Sequence, residues 1–526
     1  MKKKIIYKLR FIFWLNVKKG YKKFIKEKGL EFYRSLISDL INYDFNIEEK
    51  KFSSLVYRNY THKNKILSQY IIQKYMNNFL FYAFCFFLNK NKKMIIPIPK
   101  EMNHIFTKKN ISVNFFLSNI VWKLIVSIEI LKGIKSIFLL LFRTFIKSQT
   151  QFIQCEYSII ANIVPEKLNL PENKIINKKF FNLINWCEKE FNEDNYIFFS
   201  KKKIKKNYYE TFLNIEDLFS YNLSKYKVLF FSFESLIFIV KELALLRWHN
   251  LILFSESVKA FYVSTSAQKT PRNTFFIWTN NCYRPLWSYE VDLKKSDIKM
   301  LFLGLLNGLI LKNQSQLTSN DWEGLSISTW PTYYVWHDQH KKYIQDRILI
   351  KSKFITLKEP TYFKDSDKIL SLPKNSIALF AYENNKQCLG IATLADYDIE
   401  NNNLLKDFHF DIINSLKKNN YFAVIKRKRH LSDSLEIKKN KKIFSDLQND
   451  SNVIFVDPDH SVEKIINMTK ASICLAFTSP GYITKFMGKK TIFYDPCQWI
   501  NINDPNRTGI EIVNSKYQLD NWLKSL

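Results

Sequence analysis

The sequence predicts an α/β fold with a parallel sheet in its second half, and three observations carry this. Short apolar runs of strand length recur after about residue 350, stretches with helical spacing separate them, and each crossover is long enough to bring the chain back parallel. The strands are SIALFAYE (376–383), YFAVIKRKR (421–429), NVIFVDP (452–458), SICLAF (472–477) and KTIFYDP (490–496). The helices between them are LKDFHFDIINSLKK (405–418), KKIFSDLQND (441–450), SVEKIINMTK (461–470), capped by Ser461, and YITKFMG (482–488). The closing YQLDNWLKSL (517–526) reads as an amphipathic helix that packs back on this unit. Such a unit is Rossmann-like, and it binds ligands beyond the carboxyl ends of its strands, where a loop hands over to a helix N-terminus.

A chain of 526 residues exceeds one compact core, so several units are expected. Residues 1–150 form a mainly α-helical, basic region, in which the prolines of MIIPIPKEM (94–102) predict an irregular connection. Residues 151–350 are mixed, and 351–526 are the Rossmann-like unit. Within the middle region, KVLFFSFESLIFIVKELALLRWHNLILFSESVKAFYVS (227–264) predicts a strand-like run, a long helix and then a second strand or buried helix. TFFIWTNNCYRPLWSYEVDLKKSDIKMLFLGLLN (274–307) predicts strand, turn and strand, with KKSD as the turn. No internal repeat supports a solenoid.

Hydrophobic residues make up 46% of the chain and aromatics 16%, with 10 Gly and 13 Pro, which excludes a low-complexity protein. The 80 Lys and Arg against 48 Asp and Glu give +32. That suggests a polyanionic partner, but a Lys-, Asn-, Ile- and Phe-rich composition also follows from A/T-rich coding sequence. The clustering says more: residues 1–30 hold eleven Lys or Arg and one Glu among Ile, Phe, Trp and Leu. Such a segment can lie on an anionic leaflet or form an ordinary basic surface helix. Charges interrupt its apolar stretch and no small-residue cleavage site follows, so a signal peptide is not expected.

The most apolar segment, VWKLIVSIEILKGIKSIFLLLFRTFI (121–146), is broken by Lys123, Glu129, Lys132, Lys135 and Arg143. It falls short of the roughly 20 apolar residues a span needs and reads as an amphipathic helix, docked in the protein or lying in a membrane interface. Seven cysteines without CxxC spacing fit a reduced, cytoplasmic setting and no zinc site. His337 and His340 share a helical face near Asp338, but no third ligand motif accompanies them, so no metal is expected.

Three strand ends should share one sheet edge: KRKR (426–429), DPDHS (457–461) and FTSPG (477–481). Thr478 and Ser479 bring hydroxyls to a helix start, which suits a phosphate. Lys426 or Arg427 would add positive charge, and arginine favours bidentate capture. Asp495 ends the next strand, where it either orients a ligand or simply closes a turn.

The run NVIFVDPDHSVEKIINMTKASICLAFTSPGYITKFMGKKTIFYDP resembles the C-terminal lobe of GT-B glycosyltransferases of bacterial surface-polysaccharide synthesis. The likeness lies in Phe-Thr-Ser after an apolar strand, Gly-Lys before the next strand, and Tyr-Asp-Pro at its end. VIKRKRH is similar to the basic strand end of that lobe, and NNCYRPLWSYEV to a Trp/Tyr-Glu segment in the preceding half. The resemblance covers about 376–526, is patchy over 160–350 and weak before that. It implies two Rossmann-like lobes, a nucleotide-sugar donor held by the C-terminal lobe, and a glycan or lipid-linked acceptor held by the other. The Thr-Ser pair is similar to those that hold the donor phosphate in sialic-acid-type and Kdo-type transferases, which implies a CMP-linked sugar. The sequence has no His-Pro dipeptide of the kind those enzymes carry, so UDP- and GDP-sugars stay open. The resemblance further implies that basic side chains and a helix N-terminus, rather than a metal, compensate the departing phosphate. It also implies a base for the acceptor hydroxyl, a carboxylate or histidine, for which Glu290 in WSYEV, Glu256 in LFSESV and Asp338 in WHDQH are the candidates. A nucleotide-sugar epimerase, a non-catalytic scaffold and a basic nucleic-acid-binding protein are the alternatives. Nucleic acid is the least expected partner, because the charge is spread along the chain and no nucleic-acid motif is present.

Overall fold

The computed structural model describes residues 27–43, 77–90, 92–145, 157–161, 196–200, 212–214, 223–265, 273–278, 284–293, 297–302, 328–346, 351–357, 370–381, 402–427, 438–458, 460–476, 478–498, 500–503 and 507–526, with isolated residues between 13 and 75, Trp186 and Ile348. Most of the basic segment 1–30, Lys428 and Arg429 of KRKR, and four of the seven cysteines lie outside the described residues. Cys85, Cys474 and Cys497 are free thiols.

The described part of the first 150 residues is helical: α1 (Gly29–Ile41), α2 (Asn77–Lys90), α3 (Asn103–Lys108) and α4 (Phe115–Phe145). Between α2 and α3 the chain is extended through Pro97 and Pro99, as the prolines require. Residues 225–265 form three more helices, α5 (Lys225–Ala244), α6 (Trp248–Leu251) and α7 (Phe254–Thr265). This corrects the strand-like run expected at the start of 227–264, while at its far end the buried helix forms rather than the second strand. Val228, Phe231, Ser232, Ser235, Ile239 and Glu242 are the buried residues of α5, and their spacing is that of one helical face, which the dense Phe and Ile content obscures. α7 packs on α4 at Gly133, where a Cβ would lie 2.2 Å from the Phe254 ring, so only glycine admits this approach.

Seven strands form a parallel sheet: β1 (Tyr157–Ala161), β2 (Tyr196–Ser200), β3 (Phe212–Asn214), β4 (Asn273–Trp278), β5 (Asp297–Phe302), β6 (Thr332–Val335) and β7 (Lys353–Thr356). Their order is 3-2-1-4-5-6-7, a doubly wound pattern. Between β4 and β5 lies α8 (Leu286–Leu293), so 274–307 is strand, helix and strand. Pro285 immediately precedes α8 and starts it, a position proline favours. α9 (Asp338–Gln345) connects β6 to β7. Because β7 pairs with β6, the first sheet extends past residue 350, and the second unit begins later than 351.

The second sheet has six parallel strands, β8 (Ser376–Phe380), β9 (Phe422–Lys426), β10 (Val453–Val456), β11 (Ala471–Leu475), β12 (Lys490–Tyr494) and β13 (Glu511–Val513). The order 10-9-8-11-12-13 repeats the winding of the first. Every residue of β8 and β11 is buried, as expected of central strands covered on both faces. The crossovers are α10 (Asn402–Lys418), α11 (Lys438–Gln448), α12 (Val462–Met468) and α13 (Ser479–Phe486), and α14 (Lys516–Lys524) closes the chain. The fold is therefore α/β with two Rossmann-like units. The helical layer and the first sheet share one core and the second sheet has its own, with Trp336 of the first unit packed into the second.

The Gly-Lys pair before β12 is structural. Gly488 takes φ +72° and ends α13, with the Lys489 N–H bonded back to Thr484 O at 3.1 Å. The Lys489 ammonium donates to the carbonyls of Ile466, Asn467 and Thr469 at 2.6, 2.7 and 2.6 Å, neutralising the negative end of α12. Lys489→Met should therefore lower unfolding stability by about 1–2 kcal/mol, read by urea titration, whereas Lys442→Met on the exposed side of α11 should change it little.

Candidate functional site

The second sheet turns back on itself between β8 and β11. The chain winds outward through β9 and β10, then returns to the other side of β8. Ligands of open α/β sheets bind at such a switch point, outside the carboxyl ends of the strands. The segment that leaves β11 at this place is FTSPG. KRKR, DPDHS and FTSPG all leave parallel strands on one edge, as their positions in the sequence imply.

α13 starts here. Thr478 is its N-cap, with extended backbone and no side-chain cap. Its hydroxyl instead donates to Leu475 O at 2.8 Å. Ser479 opens the helix and Pro480 follows, without an N–H to contribute. Among the described residues, neither the backbone N–H nor the hydroxyl of Ser479 has a hydrogen-bond partner, and the residue is half-exposed. Two donors at the positive end of a helix are thus available to an anion.

The position of this start is fixed from below. Gly481 lies on β12 so closely that a Cβ would come within 2.5 Å of the Phe493 ring. Thr484 Oγ1 donates to Pro480 O at 2.8 Å and accepts from Ser472 at 2.8 Å. Ser472 lies 2.8 Å from the Thr491 hydroxyl. This buried hydroxyl chain ties the first turn to β11 and β12, so displacing the turn would leave polar groups unpaired.

The first unit reaches the same turn. His337 follows β6 and caps α9, its Nδ1 accepting from the His340 N–H at 3.1 Å. Its ring stacks on Tyr482 at 5.3 Å and 28°. With Nδ1 accepting, the neutral ring carries its proton on Nε2, and that atom is buried without a hydrogen-bond partner among the described residues. Burial holds the His337 pKa down at about 4, with Lys485 acting in the same direction and Asp338 opposing. His340 is fully buried, its Nδ1 accepting from the Trp336 N–H at 3.3 Å, and burial keeps its pKa well below 6.5. Both rings thus serve the start of α9. Among the described residues no three His, Cys, Asp or Glu side chains cluster so as to hold a metal ion.

The remaining sequence candidates fall in different places. Lys426 Nζ donates to Pro458 O at 3.0 Å and ties the end of β9 to the loop after β10. The Arg427 guanidinium lies 4.4 Å over the Phe444 ring of α11. β8 separates both from Thr478, two strand spacings or about 10 Å away, so they do not share its immediate surroundings. The Asp495 side chain is fully buried and accepts the Ile500 N–H at 2.8 Å, bracing the turn after β12. Tyr494 donates to Asp411 at 2.9 Å, anchoring β12 to α10.

Of the three carboxylates, Asp338 is exposed at the carboxyl end of β6, 3.2 Å from the Thr356 hydroxyl that donates to it. Glu290 is buried in α8, next to Tyr289, whose ring lies 3.9 Å from the Arg284 guanidinium. Glu256 belongs to the helical layer, where its charge acts with that of Glu129 on Tyr75. The structure places Asp338 next to His337, whose ring stacks on Tyr482 three residues after Ser479, and leaves Glu290 and Glu256 within α8 and α7. From the sequence His337 suggests a metal ligand or a solvated helix face, and nothing there pairs it with Tyr482. The available signal was an aromatic-flanked histidine directly after a strand.

The family model described as polysaccharide biosynthesis PFTS motif protein matches residues 234–523. Ala476, Phe477, Thr478 and Ser479 reproduce the last three letters of that motif, with alanine in place of proline. No curated protein matches. Among solved structures, TarM is similar at 10% identity and TM-score 0.29, over 52% of this chain and 51% of its own, so the match spans about half the length of TarM. The α,α-trehalose 6-phosphate synthase of Burkholderia multivorans is similar at 7% identity and TM-score 0.37, over 71% and 88%. The fold assignment rests on the two strand orders.

The buried histidines make stability fall in acid. His337 and His409 are held at about 4 by burial, below the ordinary 6.5. The unfolded chain therefore binds more protons between these values, and unfolding free energy drops as pH falls from about 6.5 towards 4, by up to ~1.4 kcal/mol per pH unit per histidine. His337→Asn keeps a residue that can cap α9 and should reduce this slope by about one proton, as measured by urea titrations between pH 7 and 4.5. An unchanged slope would show that His337 is not held neutral.

Proposed function

The chain belongs to the family of polysaccharide biosynthesis PFTS motif proteins, and from that premise we propose that it is a glycosyltransferase carrying a sugar from a nucleotide-activated donor to a glycan acceptor. The observation that carries this reading is Ser479, whose hydroxyl and N–H stand open at the switch point of the second sheet. In this reading the α13 N-terminus receives the donor phosphate, Ser479 donates to it, and Thr478 joins after rotating from Leu475. The nucleoside extends along the carboxyl edge toward Lys426 and Arg427. Asp495 supports the turn beneath rather than touching the donor.

The chemistry follows from charge. An acceptor hydroxyl attacks the anomeric carbon, the bond from that carbon to the phosphate oxygen breaks, and negative charge builds on the departing nucleotide. Open donors at a helix start stabilise that charge in place, without reorganisation. In this reading the exposed Asp338 takes the hydroxyl proton, rather than Glu290, which is buried in α8, or Glu256, which belongs to the helical layer. The His337 Nε2–H is a donor in this arrangement and cannot act as base in that tautomer. No metal is required in this account, because the open donors of the helix start meet the charge on the phosphate.

The donor is proposed to be CMP-linked, from the Thr-Ser pair, with UDP and GDP sugars as the competing donors. A lipid-linked glycan is the proposed acceptor, on the cytoplasmic face of a membrane to which residues 1–30 add positive charge. Thermal-shift measurements with CMP, UDP and GDP test the donor site. One nucleotide should raise the melting temperature, Ser479→Ala with Thr478→Val should weaken its binding by about tenfold or more, and EDTA should change neither result. Absence of a shift with all three nucleotides would overturn the reading. Asp338→Asn should lower transfer by 10²-fold or more while the nucleotide shift persists.

A further inference from the structure

α4 and α5 carry apolar residues on two faces. One face is inside: Trp122, Val126 and Ile137 of α4 and Val228, Phe231 and Ile239 of α5 are buried. The other faces solvent, with Leu131 66% exposed, Phe138 68% and Phe142 53% on α4, and Phe233 64%, Leu236 51% and Val240 68% on α5. A helix that is apolar all round belongs in a core or at a lipid phase. The outer stripe runs nearly the length of α4, about 45 Å, and the two helices together present on the order of 750 Å². That exceeds the largest apolar patch usual on a soluble monomer. A trough of about 740 Å³ opens along it, lined by Leu131, Phe138, Phe142 and Lys135 among others.

The charges on these helices decide what covers the face. Lys132 and Lys135 of α4 and Lys225, Lys227 and Lys241 of α5 are exposed. The acids are not: Glu129 and Glu242 are buried and Glu234 is half-buried. Lys225 lies 5.6 Å over the Phe145 ring, so its cation sits at the rim of the apolar face. Long basic side chains can bury their stems in an apolar layer and raise their ammonium groups to its polar boundary. A second copy of this face would bring the same cations together without an exposed acid on either helix to meet them. An anionic bilayer meets both requirements, with acyl chains for the stripe and headgroup charge for the lysines. None of the described helices is long and apolar enough to cross a membrane.

We propose that the outer face of α4 and α5 is a membrane-docking surface that lies in the interfacial layer of an anionic bilayer. It takes no part in the transfer reaction itself. The test is hydrogen exchange of the full-length protein with phosphatidylcholine vesicles, with and without 30 mol% phosphatidylglycerol, beside vesicle co-sedimentation. Anionic vesicles should slow exchange at least fivefold in peptides covering 116–145 and 225–246. Phe138→Glu with Phe233→Glu should reduce co-sedimentation at least tenfold with an unchanged melting temperature. Vesicle binding with no protection in these helices would overturn the proposal. So would a concentration-dependent dimer that protects them without lipid. Nucleotide shifts read the donor site separately, so either reading can fail without the other.

Discussion

The close seating of the first turn of α13 is the constraint on which the rest depends. Gly481 lets that turn settle on Phe493 of β12, and the hydroxyls of Ser472, Thr484 and Thr491 lock it there. Tyr482, one residue on, projects to the His337 ring of the other unit. One turn of helix therefore sets both where Ser479 stands and where the His337 ring meets the second unit. A side chain at Gly481 would move both, because its neighbour is a buried ring packed within β12 and not the end of a flexible chain.

The same turn explains why apparently chemical residues serve the frame. Lys426 and Asp495 sit at strand ends on the right edge, yet their polar atoms brace adjacent loops. Lys489 and Gly488, carried by the family resemblance, end one helix and cap another. Building a rigid edge consumes most of the polar groups along it. Ser479 differs in keeping its donors open, and an edge held this firmly presents them without rearrangement.

Much of the fold was legible in the sequence where local pattern and burial agree. β8 and β11 are continuous apolar runs because they are covered on both faces, and the helices around them alternate cleanly. The middle region was less legible. The start of α5 reads as a strand because Phe, Val and Leu crowd both its faces, so helical periodicity is blurred there. The seven-stranded sheet was expected only through resemblance, since its strands are separated by long segments. Of the site, Phe-Thr-Ser was legible as a strand handing over to a helix. The His337 to Tyr482 contact was not, because it joins residues far apart in sequence through the meeting of two separately built units.

The most direct measurement of the central claim is hydrogen exchange across the peptide 474–488, with and without a saturating nucleotide. The account predicts slowed exchange at the start of α13, centred on the Ser479 amide, with smaller changes at His337 and its neighbours. Unchanged exchange in that peptide, with protection appearing elsewhere in the second unit, would contradict it.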